Sequence, residues 1–392
     1  MLEAVASDCG SEIPAGDPLR IPPIDWKAPD YRPAILARIA RLDLLRGDPK
    51  LLTAARIYYA SHASDFIEDW IWTYDPRRVE RGNGSASVPM LLWPKQRAYI
   101  QWLDERIETG TGGLVEKSRD AGATYLSLAY AVWLWLFRPG VKVGFGSRKA
   151  ELVDRIGDPD SLFEKIRMML RMLPVELLPR GFVEDQHATH MRLLNPETWA
   201  TLTGEGGDNL GRGGRNTVYF VDEAAKLPHP ESIDAALSQN TNIRIDISTP
   251  NGNDNPFFRK RHSGKVSIFT FHWRDDPRKD DTWYAEQKRL HGPTIVAAEL
   301  DIDYDASVEN VCIPAHWVRA AVDLDLPGMA DGMRRAGLDV ADEGEDLNTL
   351  VGVHGVKAWV IDSWRGSKDW TTTHTARKAF QLCAEQKVEL LR

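Results

Sequence analysis

The chain has 392 residues, 43% of them hydrophobic and 27% charged, with a formal net charge of −8. That composition describes a globular protein of roughly two units and excludes a surface coated in phosphate-binding charge, so any nucleic-acid contact must be local. The longest apolar run, Leu128–Phe137, is too short to span a bilayer, and Met1–Gly16 lacks the basic start and apolar core of a leader, so no membrane association is expected.

Met1 to about Pro33 contains Asp, Pro and Gly with little periodicity and reads as a flexible arm. From Ala34 to Trp72 the apolar spacing is helical, with a break near Gly47-Asp-Pro49. Tyr58, Tyr59, Phe66, Trp70 and Trp72 suit packing of this helical layer on a sheet better than ligand binding.

A short apolar stretch, Gly113-Leu-Val, leads into Lys117-Ser-Arg-Asp-Ala-Gly-Ala-Thr124, and Tyr125–Phe137 follows with helical length and no Gly or Pro. That order is strand, loop, helix. A phosphate-binding loop needs small residues where backbone N–H groups converge on oxygen, a helix N-terminus aimed at the same charge, a lysine, and a hydroxyl for Mg²⁺. Gly122 and Thr124 fit the last glycine and the hydroxyl. Ala123 stands where the usual lysine belongs, which leaves Lys117 at the loop entrance to reach the β- and γ-phosphates and Arg119 inside the loop, beside Ser118. The competing reading is a glycine-containing turn with no ligand.

Val141–Phe145 reads as another strand, with Gly146-Ser-Arg-Lys149 as its basic tip. Thr217-Val-Tyr-Phe-Val221 runs straight into Asp222-Glu223 and describes a buried strand delivering two carboxylates at its C-terminal end, where ligands bind in open α/β sheets. Asp222 is expected to hold Mg²⁺ through water and Glu223 to act as general base on the attacking water. A third strand, Ile243–Ile247, ends in Ser248-Thr-Pro-Asn-Gly252. Ser248 and Thr249 either sense a γ-phosphate and relay its loss, or belong to a Pro-Asn-Gly turn without a ligand.

Arg259-Lys-Arg-His262, with Arg274, Arg278, Lys279 and Trp273, is the best candidate for gripping a nucleic-acid backbone, weakened by the interspersed Asp275, Asp276 and Asp280. Asp323–Gly332 reads as a linker. After it, Gly337-Leu-Asp339 starts a hairpin continued by Thr349–Val353 and Ala358–Asp362, with a helix over Thr373–Leu391. Cys9, Cys312 and Cys383 show no metal or redox spacing, and His187 and His190 lack a second pair of ligands at zinc spacing.

The loop Lys117–Thr124, the Val221-Asp-Glu223 strand end, Ser248–Gly252 and the upstream Phe66–Pro76 together resemble the large terminase subunit of tailed bacteriophages. The resemblance implies a P-loop NTPase α/β three-layer sandwich with an acidic water-activating residue and an N-terminal helical extension, followed by an incomplete RNase H-like α/β domain. The expected division is an arm over 1–33, an ATPase motor domain over 34–322 with a lid region from about Asn255 to Val322, a linker over 323–332 and the start of a nuclease domain over 333–392.

It further implies ATP and Mg²⁺ as cofactors, adenine recognition by Gln96 in Trp93-Pro-Lys-Gln96, and an arginine presented in trans by Arg212 of Gly211-Arg-Gly213, with Arg215 close enough to confuse that assignment. Asp339 is the implied first ligand of a divalent metal pair in the nuclease. Because the strands carrying the other ligands do not appear before Arg392, no competent nuclease is expected. Double-stranded DNA, a homo-oligomeric ring, the small terminase subunit and the capsid portal are the implied partners, in the cytoplasm of a host bacterium. A helicase-like translocase and a nucleotide-binding or assembly module with a degenerate ATPase are the alternatives.

Overall fold

The computed structural model describes residues 19, 21–80, 85–307, 317, 320–322, 324, 331–341, 346–366 and 372–392. They form two compact units that divide after residue 312. The arm up to residue 18, most of the expected linker, Cys9 and Cys312 lie outside the described residues.

The first unit is built on an eight-stranded sheet. Its strands are β1 (Gly113–Lys117), β2 (Lys142–Ser147), β3 (Ala188–Thr189), β4 (Arg192–Leu194), β5 (Thr201–Gly206), β6 (Val218–Asp222), β7 (Ile243–Ser248) and β8 (Ser267–Phe271). The spatial order is β8-β1-β7-β6-β2-β5-β4-β3. The first six run parallel, and β4 and β3 close the far edge as antiparallel strands. Parallel strands covered on both faces read as near-continuous apolar runs, which is how Val218–Val221 reads.

Alternate side chains of these strands enter different cores. Val115, Phe220, Ile245 and Ile247 join one cluster with the helices Ala63–Trp70, Pro94–Thr109, Ala123–Phe137 and Leu162–Met172. Leu114, Tyr219 and Val221 face the other way, against Leu237 of Pro230–Asn240 and Phe257 of Pro256–His262. The result is a three-layer α/β sandwich. Helix Ala123–Phe137 is buried almost all round because the N-terminal helices cover its outer side, and Trp133 Nε1 donates to the Tyr59 carbonyl at 2.6 Å.

The helical N-terminal extension has the expected break. Arg32–Gly47 and Pro49–Tyr59 are separate helices, and the Asp48 carboxylate between them caps the second by accepting from Lys50 N–H at 2.8 Å.

The Asn255–Val322 region expected as a lid contributes a strand to the sheet. Its Ser267–Phe271 segment is strand β8, hydrogen-bonded parallel to β1 from Ser267 opposite Gly113 to Phe271 opposite Lys117. Phe269 and Phe271 pack 5.1 Å from the Tyr99 ring, which draws the segment onto the sheet edge.

The second unit contains β9 (Arg335–Asp339), β10 (Leu347–His354), β11 (Lys357–Arg365), a helix Thr372–Glu385 and β12 (Leu390–Leu391), in the order β11-β10-β9-β12. Three antiparallel strands, a helix and a fourth strand parallel to the first are compatible with the opening of a nuclease-like α/β domain. The helix expected to reach Leu391 stops at Glu385. Val388 N–H bonds the Cys383 carbonyl across Lys387, whose φ is +55°, and Leu391 is drawn into the small core beside Ala336.

Candidate phosphate site

The C-terminal ends of β1, β2 and β6 open into a cavity of about 560 Å³, within the range of roughly 300–1,000 Å³ typical of small-molecule sites. Lys117, Arg119, Gly122, Ala123, Thr124, Asp222 and Glu223 all line it. Thus the loop and the two carboxylates, about a hundred positions apart, share one site.

Gly122 has φ +80° and caps the helix that begins at Ala123. The left-handed conformation costs glycine little and lets the chain turn from loop to helix with the first-turn N–H groups facing the cavity mouth. Thr124 follows on the first turn, and its hydroxyl donates to Asp222 Oδ1 at 3.1 Å.

Asp222 ends β6, and Glu223 leaves the strand with φ +54°, an unusual conformation for a residue with a Cβ. That backbone turn directs Glu223 toward Lys117 Nζ, 3.4 Å from its Oε1, and Lys226 Nζ, 3.2 Å from its Oε2. Burial and the neighbouring Glu223 charge push the Asp222 carboxyl above its ordinary range. Burial pushes Glu223 up as well, but Lys117 and Lys226 outweigh it and hold that carboxyl below its ordinary value. The pair therefore favours an ionised Glu223, the state that can accept a proton.

Other expected site residues do not line the cavity. Gln96 is buried, does not line the cavity, and its amide donates to the Ala121 carbonyl at 3.2 Å. Ser118 is also buried, its hydroxyl donating to the Leu300 carbonyl at 2.5 Å and accepting from Trp273 N–H at 3.0 Å. Ser248 and Thr249 are buried at the end of β7, which lies between β1 and β6, and the Thr249 hydroxyl bonds Glu299 Oε1 at 3.4 Å. Arg212 is exposed away from the cavity lining, 3.4 Å from Ser232 Oγ.

Sequence reasoning missed four charged members of the lining: Asp160, Lys165, Lys226 and Glu299. Lys226, three residues after Glu223, was the one with a local signal. Arg148, also in the lining, belongs to the expected basic tip after β2, whereas Lys165 comes from a helix with no motif. Burial pushes the Lys165 ammonium below its ordinary range, and its Nζ stands 5.7 Å over the Tyr125 ring.

The basic run Arg259–His262 is not a free cationic patch. Arg259 pairs with Glu231, Lys260 with Asp234 and Asp246, and Arg261 with Glu116 at 2.7 Å. Arg278 and Lys279 pair with Asp276 at 2.7 and 3.3 Å. The short helix Pro256–His262 is thereby tied to Pro230–Asn240 and to the sheet, which accounts for its charge.

Asp339, at the end of β9, is exposed, and among the described residues no group of three or more His, Cys, Asp or Glu could hold a metal ion. Nor is any described helix long and apolar enough to cross a membrane.

No protein-family model matches the chain, and no curated protein matches it. Among solved structures, it is similar to the HK97 bacteriophage large terminase at 14% identity, over 84% of this chain and 73% of that one, with a TM-score of 0.46. It is similar to the large terminase of a thermophilic bacteriophage in complex with ADP at 13% identity, over 77% and 82%, with a TM-score of 0.42. The large terminase ATPase domain of a Thermus phage is a third, at 19% identity over 50% and 89%, with a TM-score of 0.37.

Proposed function

We propose that the first unit is the ATP-hydrolysing motor of a viral large terminase, translocating double-stranded DNA into a capsid from the host cytoplasm. The observation that supports it best is the convergence of Lys117, Thr124, Asp222 and Glu223 on one cavity at the ends of parallel strands.

In this reading Lys117 supplies the cation that Ala123 does not, entering from the end of β1. The first-turn N–H groups after Gly122 and the positive end of that helix favour the phosphate oxygens. Arg119, Arg148 and Lys165 are further cations on the wall.

The Thr124 hydroxyl and the Asp222 carboxylate, 3.1 Å apart, form an all-oxygen donor pair that fits Mg²⁺. Two protein ligands suffice, since this ion keeps water and phosphate oxygens as its remaining ligands. When bound, Mg²⁺ neutralises charge developing on the phosphoryl oxygens. Glu223, held ionised by Lys117 and Lys226, accepts the proton of the attacking water. The burial of Ser248 and Thr249 at the end of β7, with Thr249 bonded to a cavity carboxylate, supports a relay from phosphate loss into movement.

A homo-oligomeric ring, the small terminase subunit and the portal complete the reading, and the exposed Arg212 suits contact with a neighbouring copy. The second unit is assigned to the nuclease portion, with Asp339 as a ligand candidate. Its described residues hold no group of three or more His, Cys, Asp or Glu and do not fit a two-metal site.

The test is ATP turnover by the full chain with Mg²⁺, with and without duplex DNA, alongside Lys117→Ala and Glu223→Gln. Both variants should lose about 10²-fold or more in turnover, while Glu223→Gln retains nucleotide binding. A parent that binds ATP tightly without turnover at any protein concentration would instead favour an assembly module, and a parent that binds no nucleotide would remove the loop assignment. Strand separation of the duplex during turnover would favour a helicase-like translocase.

A further inference from the structure

Glu299 sits on a one-turn π-helix, Ala297–Asp301, which packs against the phosphate loop. The contact is made by the backbone: Arg119 N–H donates to the Glu299 carbonyl at 2.6 Å, and the neighbouring Leu300 carbonyl accepts from Ser118 Oγ at 2.5 Å. From that fixed base the Glu299 side chain enters the cavity. Its Oε1 accepts from Lys226 Nζ at 3.3 Å and from the Thr249 hydroxyl at 3.4 Å, and its Oε2 from Arg119 Nη1 at 3.5 Å.

A lysine, an arginine and a hydroxyl converging on one anion form the donor set that a phosphoryl group takes. Here a carboxylate of the protein holds all three. The effect on the cavity is electrostatic as well as steric. Its lining carries five acidic and five basic side chains, a balanced wall, and Glu299, like Glu223, pairs with cations from two different segments. Without it, Arg119 and Lys226 would meet an incoming terminal phosphate with one competing carboxylate fewer.

We propose that Glu299 is a resident anion occupying the place of a terminal phosphate, and that it sets the preference of the site between nucleoside triphosphates and diphosphates. The proposal rests on reading the cavity as a nucleotide site. Glu299 holds Arg119, Lys226 and Thr249 in position when no terminal phosphate is present and yields the two cations of the lining, Arg119 and Lys226, when one arrives. Because the backbone of the turn is fastened to the loop, the exchange takes a rotation of one side chain, and the wall stays in place. A diphosphate does not reach these donors, so Glu299 keeps them and the diphosphate gains nothing from its removal.

The experiment is calorimetric titration of the full chain, in Mg²⁺, with a non-hydrolysable ATP analogue and separately with ADP, using the parent, Glu299→Gln and Glu299→Ala. Both variants leave the backbone tethers intact, and circular dichroism confirms that each is folded. The analogue should bind both variants about tenfold more tightly than the parent, with ADP affinity changed less than about twofold. Unchanged or weaker analogue binding, or an equal gain for ADP, overturns the proposal while leaving the nucleotide site intact. If the folded parent and both variants bind neither ligand, the nucleotide reading itself fails, and the role of Glu299 with it.

Discussion

The Thr124 hydroxyl donates to the Asp222 carboxylate at 3.1 Å, across 98 positions of sequence. One residue opens a helix after a glycine turn and the other ends a parallel strand, so their meeting depends on β7 and β6 lying next to β1 in that order. Thr124→Ala removes one oxygen of the pair without disturbing the strand. It should abolish most of the gain in ATP affinity that Mg²⁺ confers, about tenfold or more, measured by titrating nucleotide with and without the ion.

Asp222→Asn tests the electrostatic cost of the same site. Burial and the Glu223 charge raise the folded-state carboxyl of Asp222 above its unfolded value. Between the two values the native state binds more protons than the unfolded one, so this group's contribution to stability falls as pH rises through that window. The neutral amide removes the cost. The variant should melt a few degrees higher than the parent at neutral pH, and the difference should vanish once the pH falls below the ordinary carboxyl range. A gain that persists unchanged into acid would contradict this account.

Gly122→Ala puts a methyl group on a residue with φ +80° and 2.9 Å from Gln96 Nε2. The left-handed backbone alone costs an alanine about 1–2 kcal/mol, and the loop can relax only by giving up the bond from Gln96 to Ala121. A lower urea midpoint together with weakened nucleotide binding is expected. A stability loss with full binding would show that the glycine serves only the turn.

Arg167, which does not line the cavity, is buried between two carboxylates, 2.7 Å from Asp154 and 3.0 Å from Glu164. Arg167→Met leaves Asp154 without its counter-charge in a dry setting and Glu164 with Arg171 alone. Breaking a buried pair in this way costs about 3–5 kcal/mol, which equilibrium urea unfolding of the variant should register as a lower midpoint at nearly unchanged slope.

Much of the sheet was legible because local patterns carried it. The apolar runs into Lys117 and into Asp222-Glu223, the glycine before Thr124, and the break at Asp48 each report a backbone preference or a burial requirement acting on near neighbours. The alternation in Ile243–Ile247 predicted a strand, and the structure places it between the other two. Gln96 shows what a local pattern leaves open. Its amide could serve an adenine edge equally well in the sequence, yet the helix Pro94–Thr109 turns it inward to the Ala121 carbonyl.

Charge was least legible, because the meaning of a charged residue depends on which opposite charge is within a few ångströms. Arg259–Arg261 read as a cationic patch until folding set Glu231, Asp234 and Glu116 against them. Lys165 and Glu299 carried no motif at all, and joined the site only because a helix and a π-turn pack at the ends of the strands. The sequence by itself determined the loop, the acidic strand end and the layered α/β class, since each follows from interactions within a few residues or from a repeating period. Tertiary structure alone decided which side chains share the cavity and which charges are already spoken for, because those are distances between segments that no local preference encodes.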